Sequence, residues 1–253
     1  MKAFLKKEWM EWIRTGRALI LVLVFTILGI MNPAFAKLTP WLMEMMSDSL
    51  SEAGFITTAV QIDAMTSWTQ FYKNIPAGLI VFLLLNSSSF TAEYEKGTLI
   101  PAITRGLPRR TILAAKSILL FGSWTLLYAL CFGITYGYNA YFWDNTIAGN
   151  LYFAAACTWL FGMWTTALLI LFSSISKSST QVLLGTGGAA MGSYLLSLFP
   201  KLNTFLPAKL MEGMKLLQKT GSPEDYLTGA AVSGITILLC MALSIIFLDK
   251  RQC

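Results

Sequence analysis

Six stretches of this chain, residues 18–36, 74–92, 117–143, 145–176, 178–200 and 226–248, contain no Asp, Glu, Lys or Arg. A membrane-crossing helix needs about 20 largely apolar residues at about 1.5 Å each. Cut to one span apiece, the stretches give expected spans at approximately 18–36, 74–92, 117–138, 151–172, 180–200 and 227–248. Composition agrees, since only 13% of residues are charged where a soluble domain carries roughly 25%. The expected fold is an all-α integral membrane protein. It forms a single six-span transmembrane domain over residues 1–253 with no nucleotide-binding domain.

Several functions fall away on residue inventory. The chain has no His, which removes His metal sites, His bases and His-containing triads. Cys131, Cys157, Cys240 and Cys253 form no CxxC pair and read as small apolar residues. No Asp, Glu, Lys or Arg lies in the six stretches, which argues against a proton-driven pump or ion channel built on membrane carboxylates or basic residues. The run beginning at Ala18 is longer than a usual signal-peptide core of about 7–15 residues, so the N-terminus reads as uncleaved despite Ala34-Phe35-Ala36.

With both termini placed in the cytoplasm, the inner segments hold 13 of the 19 Lys and Arg residues and the outer segments 6. The positive-inside rule therefore predicts a multi-pass cell-membrane protein with both termini cytoplasmic. The same distribution assigns the net charge of +6 to a membrane surface rather than to nucleic acid.

Leu5, Trp9, Trp12 and Ile13 share a helical face ahead of the first span, with Lys6, Lys7, Glu11 and Arg14 elsewhere. This predicts an amphipathic elbow helix at the interface, its aromatic rings at headgroup level and its basic face against anionic lipid. Residues 37–73 and 201–225 are expected as short surface helices capping the outer side, or as a Met-rich vestibule. In the second, Leu210, Met214 and Leu217 predict one helix ended by Gly221 and Pro223.

The segment after the second span reads Phe90-Thr91-Ala92-Glu93-Tyr94-Glu95-Lys96-Gly97-Thr98-Leu99-Ile100-Pro101-Ala102-Ile103-Thr104-Arg105-Gly106-Leu107-Pro108. Gly97 permits a sharp turn, Thr98 can cap a short helix, and Pro101 is tolerated in its first turn. Gly106-Leu107-Pro108 ends that helix. Leu99, Ile100, Ile103 and Leu107 make it too apolar for a passive loop.

The pattern F-x-x-E-x-E-x-G-T-L, followed by T-R and a Lys at the start of the next span, resembles the first cytoplasmic loop of type-2 ATP-binding-cassette (ABC) transporter permeases. The layout of the whole chain is similar too, though Pro108 stands two residues beyond the usual proline position. The resemblance implies a coupling helix over Thr98–Gly106, with Thr98, Leu99, Ile103, Thr104 and Arg105 meeting an ATPase subunit. Glu93 and Glu95 would pair with Arg109, Arg110 or Lys116; these bases could equally fix topology and hold lipid phosphate.

It also implies that two six-span halves meet through spans one and five, and that spans two and five border the pathway. Asn86, Ser87, Ser88 and Ser89 would then lie near the cavity or its mouth, unless they are bonded within the bundle. Gly185, Gly188 and Gly192 would serve helix packing or a dimer seam, and Gly188/Gly192, like Gly133/Gly137, form a GxxxG spacing. Tyr128, Thr135, Tyr136, Tyr138 and Asn139 read as an interfacial belt.

No G-x-x-x-x-G-K-[ST] loop is present, so ATP and Mg are expected on a partner and no cofactor on this chain. The expected function is the transport subunit of an ABC exporter, not itself an enzyme. Two ATPase copies, a second permease copy or homologue, and membrane lipid are its expected partners. The leading cargo is an amphipathic or antimicrobial peptide or peptide antibiotic. The alternatives are lipid-like drugs or sodium ions as cargo, or a non-transporting sensor or anchor.

Overall fold

A computed structural model describes residues 2–52, 63–95 and 108–250. Among them the helices are α1 Lys2–Arg14, α2 Arg17–Glu52, α3 Ala64–Asn86, α4 Ser88–Glu95, α5 Arg109–Phe142, α6 Leu151–Ile175, α7 Ser179–Ser197, α8 Pro200–Asn203, α9 Gly213–Leu217 and α10 Glu224–Lys250. Single 3-10 turns lie at Asn145–Ile147 and Pro207–Met211. No strand occurs among the described residues.

Among the described residues, 5 stretches are long and apolar enough to cross a membrane: Arg17–Trp41, Ala64–Thr91, Arg109–Phe142, Leu151–Ile175 and Glu224–Leu248. The expected span at 180–200 is the 19-residue helix α7. Gln181, Gly185, Gly187, Gly188 and Gly192 dilute its apolar character. At about 1.5 Å per residue it falls just short of a hydrocarbon core about 30 Å thick.

Helices run further than charge-free stretches do, because a charge need not end a helix if it has somewhere to go. α2 continues past Lys37, through Pro33 and Pro40, to Glu52. Residues 37–52 therefore prolong the first span and are not separate capping helices. Lys37 Nζ sits 3.9 Å from the centroid of the Phe142 ring, a cation–π contact that offsets part of its desolvation. α3 begins at Ala64, where the Asp63 carboxylate accepts the Thr66 backbone N–H at 3.0 Å. Lys73 is exposed on that helix.

Residues 201–225 are not one helix. Pro207 opens a 3-10 turn, and Glu212, with φ −80° and ψ 34°, breaks the chain before α9. Leu210, Leu216 and Leu217 are nevertheless buried, so the segment folds back as a cap on the bundle.

The bundle has two helix groups. α2 packs on α3 and α5, while α6 packs on α7 and α10. Trp124 of α5 joins them, with its ring 6.0 Å from Phe25 and 5.5 Å from Phe82. Its indole N–H donates to the Trp159 carbonyl on α6 at 3.1 Å. α6 comes this close because residue 162 is glycine; a Cβ there would fall inside the Trp124 indole. Tyr128, one turn on, donates to the Ala155 carbonyl at 2.9 Å.

α1 turns into α2 at Gly16, whose φ of +74° is a left-handed value that favours glycine. The Gly16 N–H donates to the Ile13 carbonyl at 3.1 Å, closing the end of α1. That sharp turn returns α1 along the first part of α5.

Candidate functional site

Glu8 stands on one face of α1 with Leu5 and Trp12, and this face packs on α5. Lys116 lies about two turns inside α5 rather than ahead of the membrane, and only 2% of it is exposed. Its Nζ donates to Glu8 Oε2 at 2.8 Å and to the Ser89 carbonyl at 2.9 Å. The Phe90 ring centroid lies 5.4 Å away. Glu8 also accepts from Lys7 Nζ at 3.3 Å. Burying two charges carries a large desolvation cost, tolerable only when attraction and further hydrogen bonds satisfy both groups. Here they bind three elements, α1, α4 and α5, at one point.

Two more ties brace the same end of the bundle. Arg17 at the start of α2 donates to Ser88 Oγ at 2.9 Å. Arg109 at the start of α5 donates to the Leu248 carbonyl at 3.1 Å, satisfying an orphan carbonyl near the C-terminal end of α10. Residues 96–107 thus connect α4, tied at its first residues Ser88 and Ser89, to α5, tied at Arg109 and Lys116.

The expected coupling residues Thr98, Leu99, Ile103, Thr104 and Arg105 lie outside the described residues. So do the side chains of Glu93 and Glu95, although the backbone of both belongs to α4. The described carboxylate partner of Lys116 is Glu8, and its burial removes Lys116 from the lipid-facing surface. Asn86 is buried and donates to the Phe82 carbonyl at 2.9 Å, and Ser87 Oγ donates to the Leu84 carbonyl at 2.8 Å. With Ser88 and Ser89 holding Arg17 and Lys116, the polar run from Asn86 to Ser89 is bonded within the bundle.

The three glycines of the expected seam separate. A Cβ at Gly185 would meet the Phe172 ring, whereas Gly188 and Gly192 have nothing within 4 Å. Gly133 and Gly137 on α5 are equally open. Gly185 therefore packs inside the chain, and the two GxxxG pairs face outward.

A second polar system crosses the opposite half of the bundle. The Asn74 amide donates to Asn32 Oδ1 at 2.9 Å, and the Asn32 amide donates to Thr135 Oγ1 at 3.1 Å. Thr135 in turn donates to the Gly29 carbonyl at 3.1 Å. That carbonyl lost its helical donor because residue 33, four positions on, is proline. A hydroxyl from a neighbouring helix is a known remedy for a proline within a membrane helix. Thr135 and Asn139 are wholly buried, so they belong to the interior and not to an interfacial belt. Tyr128 is interior as well, and Tyr138 is exposed.

Sequence reasoning missed Glu8, Asn32 and Asn74. The available signal for Glu8 was an acid between Leu5 and Trp12 on an otherwise apolar face. For Asn32 it was an amide next to an in-helix proline. Among the described residues no group of three His, Cys, Asp or Glu could hold a metal. The arrangement holds helix ends in register.

A family model described as ABC-2 family transporter protein matches residues 3–232. The chain is also 20% identical, over 263 residues, to a Bacillus subtilis (strain 168) protein described as uncharacterized transmembrane protein YxlG, covering 99% of this chain and 97% of that relative. No solved structure is matched.

Proposed function

This chain belongs to the ABC-2 family of transporter proteins, and on that premise we propose that it is the permease subunit of an ATP-driven exporter in the cell membrane. It is a multi-pass membrane protein, and permeases of this family generally work with an ABC ATPase subunit. In the proposed complex two ATPase subunits carry ATP and Mg, and a second permease copy or homologue completes the pathway. Both termini face the cytoplasm. α7 serves as the sixth span, its modest hydropathy offset by protein neighbours on its open glycine face.

The observation that carries this reading is the bracing on either side of residues 96–107. A push on a short segment reaches the spans only if its flanking helices cannot bend aside. Lys116, Arg17 and Arg109 tie those helices to α1, α2, α4 and α10. ATP binding shifts the bundle only by as much as it favours one state over the other. Thr98, Leu99, Ile103, Thr104 and Arg105 are the proposed contacts that carry this bias. The long charge-free stretches within the spans suit an amphipathic peptide as cargo, ahead of lipid-like drugs or sodium ions.

The test is ATP hydrolysis by the chain and its ATPase in lipid nanodiscs, with Leu99→Asp and Ile103→Asp as variants. Peptide-stimulated hydrolysis that both variants lose, with folding intact, supports a coupled peptide exporter. Unchanged assembly and hydrolysis in both variants overturns the coupling assignment. Stimulation by no peptide overturns the cargo alone.

A further inference from the structure

Between α1 and α5 runs a groove of about 450 Å³, with Lys2, Leu5, Lys6 and Trp9 along one wall. The other wall is α5, where Ile118, Gly122 and Leu126 follow one another at one-turn intervals. Gly122 makes the slot: a Cβ there would meet nothing within 4 Å, so the floor is open rather than tightly packed. The apolar part runs from Ile118 to Leu126, eight helical rises or about 12 Å at 1.5 Å per residue.

The mouth of this groove is cationic. Lys2, Lys6 and Trp9 lie at i, i+4 and i+7 on α1, so both ammonium groups and the indole share one face. The neighbouring Lys7 is matched by Glu8 at 3.3 Å and Glu11 at 3.4 Å. Lys2 and Lys6 have no carboxylate partner among the described residues. No acidic residue stands in the first turn of α1. Two cations within two turns of a helix N-terminus oppose the helix dipole, and an anion placed there relieves both conflicts.

We propose that this groove is a binding site for one anionic phospholipid. Its headgroup phosphate is held by Lys2 and Lys6, and one acyl chain lies along Ile118, Gly122 and Leu126. An apolar slot continuous with a cationic mouth matches a molecule whose charge and hydrocarbon are joined end to end. A free phosphate would use only the mouth, and an apolar helix only the slot. Trp9, 42% exposed, supplies the amphipathic ring suited to the level between headgroup and chain. Because α1 is anchored through Glu8 to Lys116, occupancy of the groove would bear on the same end of the bundle that the buried ion pair holds.

The experiment is native mass spectrometry of the purified chain in detergent, with phosphatidylglycerol and phosphatidylcholine of matched acyl chains. The expected result is one retained phosphatidylglycerol per chain, favoured over phosphatidylcholine by about 30-fold from two lysines near the phosphate. Lys2→Gln with Lys6→Gln abolishes the preference while leaving lipid bound. Gly122→Leu fills the slot and lowers retention of both lipids. Gly234→Leu, at an open glycine of α10, leaves retention unchanged. Three results each overturn the assignment: equal retention of the two lipids by the wild type, undiminished retention by Gly122→Leu, and displacement of the lipid by inorganic phosphate alone.

Discussion

Glu8 and Lys116, 108 residues apart in sequence, form an ion pair of 2.8 Å in which both side chains are at least 95% buried. Removing one member leaves a buried charge without its counter-charge, a loss of about 3–5 kcal/mol. Lys116→Met should therefore lower the unfolding free energy of the solubilised chain by about that amount. Glu8→Met combined with Lys116→Met should recover most of it, because a well-packed apolar pair often replaces a buried ion pair without loss. Chemical unfolding in mixed micelles reads both. A double variant as unstable as the single one would mean that the pair contributes more than mutual neutralisation.

Thr135→Val removes the donor to the Gly29 carbonyl and the acceptor for the Asn32 amide. Interhelical hydrogen bonds in membranes average about 0.6 kcal/mol, with a maximum of about 1.7. A loss of about 1 kcal/mol is expected, read by the same unfolding assay. Pro33→Ala gives residue 33 a backbone N–H and lets the Gly29 carbonyl be satisfied along its own helix. The Thr135→Val penalty should shrink in that background. An equal penalty in both backgrounds would detach the threonine from the proline.

Gly162 and Gly188 should respond in opposite ways. Gly162→Ala drives a methyl into the Trp124 indole, and overpacking of this kind costs about 1–3 kcal/mol. Gly188→Ala meets nothing within 4 Å and gains helix propensity, so the single chain should be unchanged or firmer by about 0.5–1 kcal/mol. If the outward glycine face of α7 seats a second copy, Gly188→Leu lowers the dimer fraction seen by crosslinking in nanodiscs. An unchanged dimer fraction would place the seam elsewhere.

Asp144, fully exposed between α5 and α6, accepts the Thr146 hydroxyl and its backbone N–H at 2.7 and 3.0 Å. These bonds hold its carboxyl below the usual range, the side-chain bond being the larger cause. A lowered value means that the charged form favours the folded turn. Its contribution is therefore present above the ordinary carboxylate range and lost as pH falls through the lowered value. Order in the Asn145–Ile147 turn, followed by hydrogen exchange, should decline on that acid limb in the wild type and not in Asp144→Asn. Parallel declines would remove the carboxylate as the cause.

The membrane-crossing helices were legible because water-avoiding runs must satisfy their backbone internally and so become helices. Their ends were not. Lys37, Lys73 and Lys116 each marked a limit at which the helix did not stop, and each for a different reason: an aromatic ring, an exposed face, and a buried carboxylate. The first and third depend on residues over a hundred positions away, which no local pattern displays. The same holds for Asn32, Asn74 and Thr135, whose polarity was visible but whose mutual contact was not. Pro207 and Glu212 broke an outer helix that apolar spacing alone had joined. Segment 98–105, the most specific motif in the sequence, lies outside the described residues and rests on the resemblance of the loop.

The distance along the chain between Glu8 and Lys116 also orders events during synthesis. Chains grow at about 5–20 residues per second, so Glu8 waits roughly 5–20 s before its partner has been made. During that interval Glu8 has only the exposed Lys7 as a counter-charge, and α1 has no buried seat to occupy. The third span then brings its lysine, and the earliest segment to be translated becomes one of the later ones to dock.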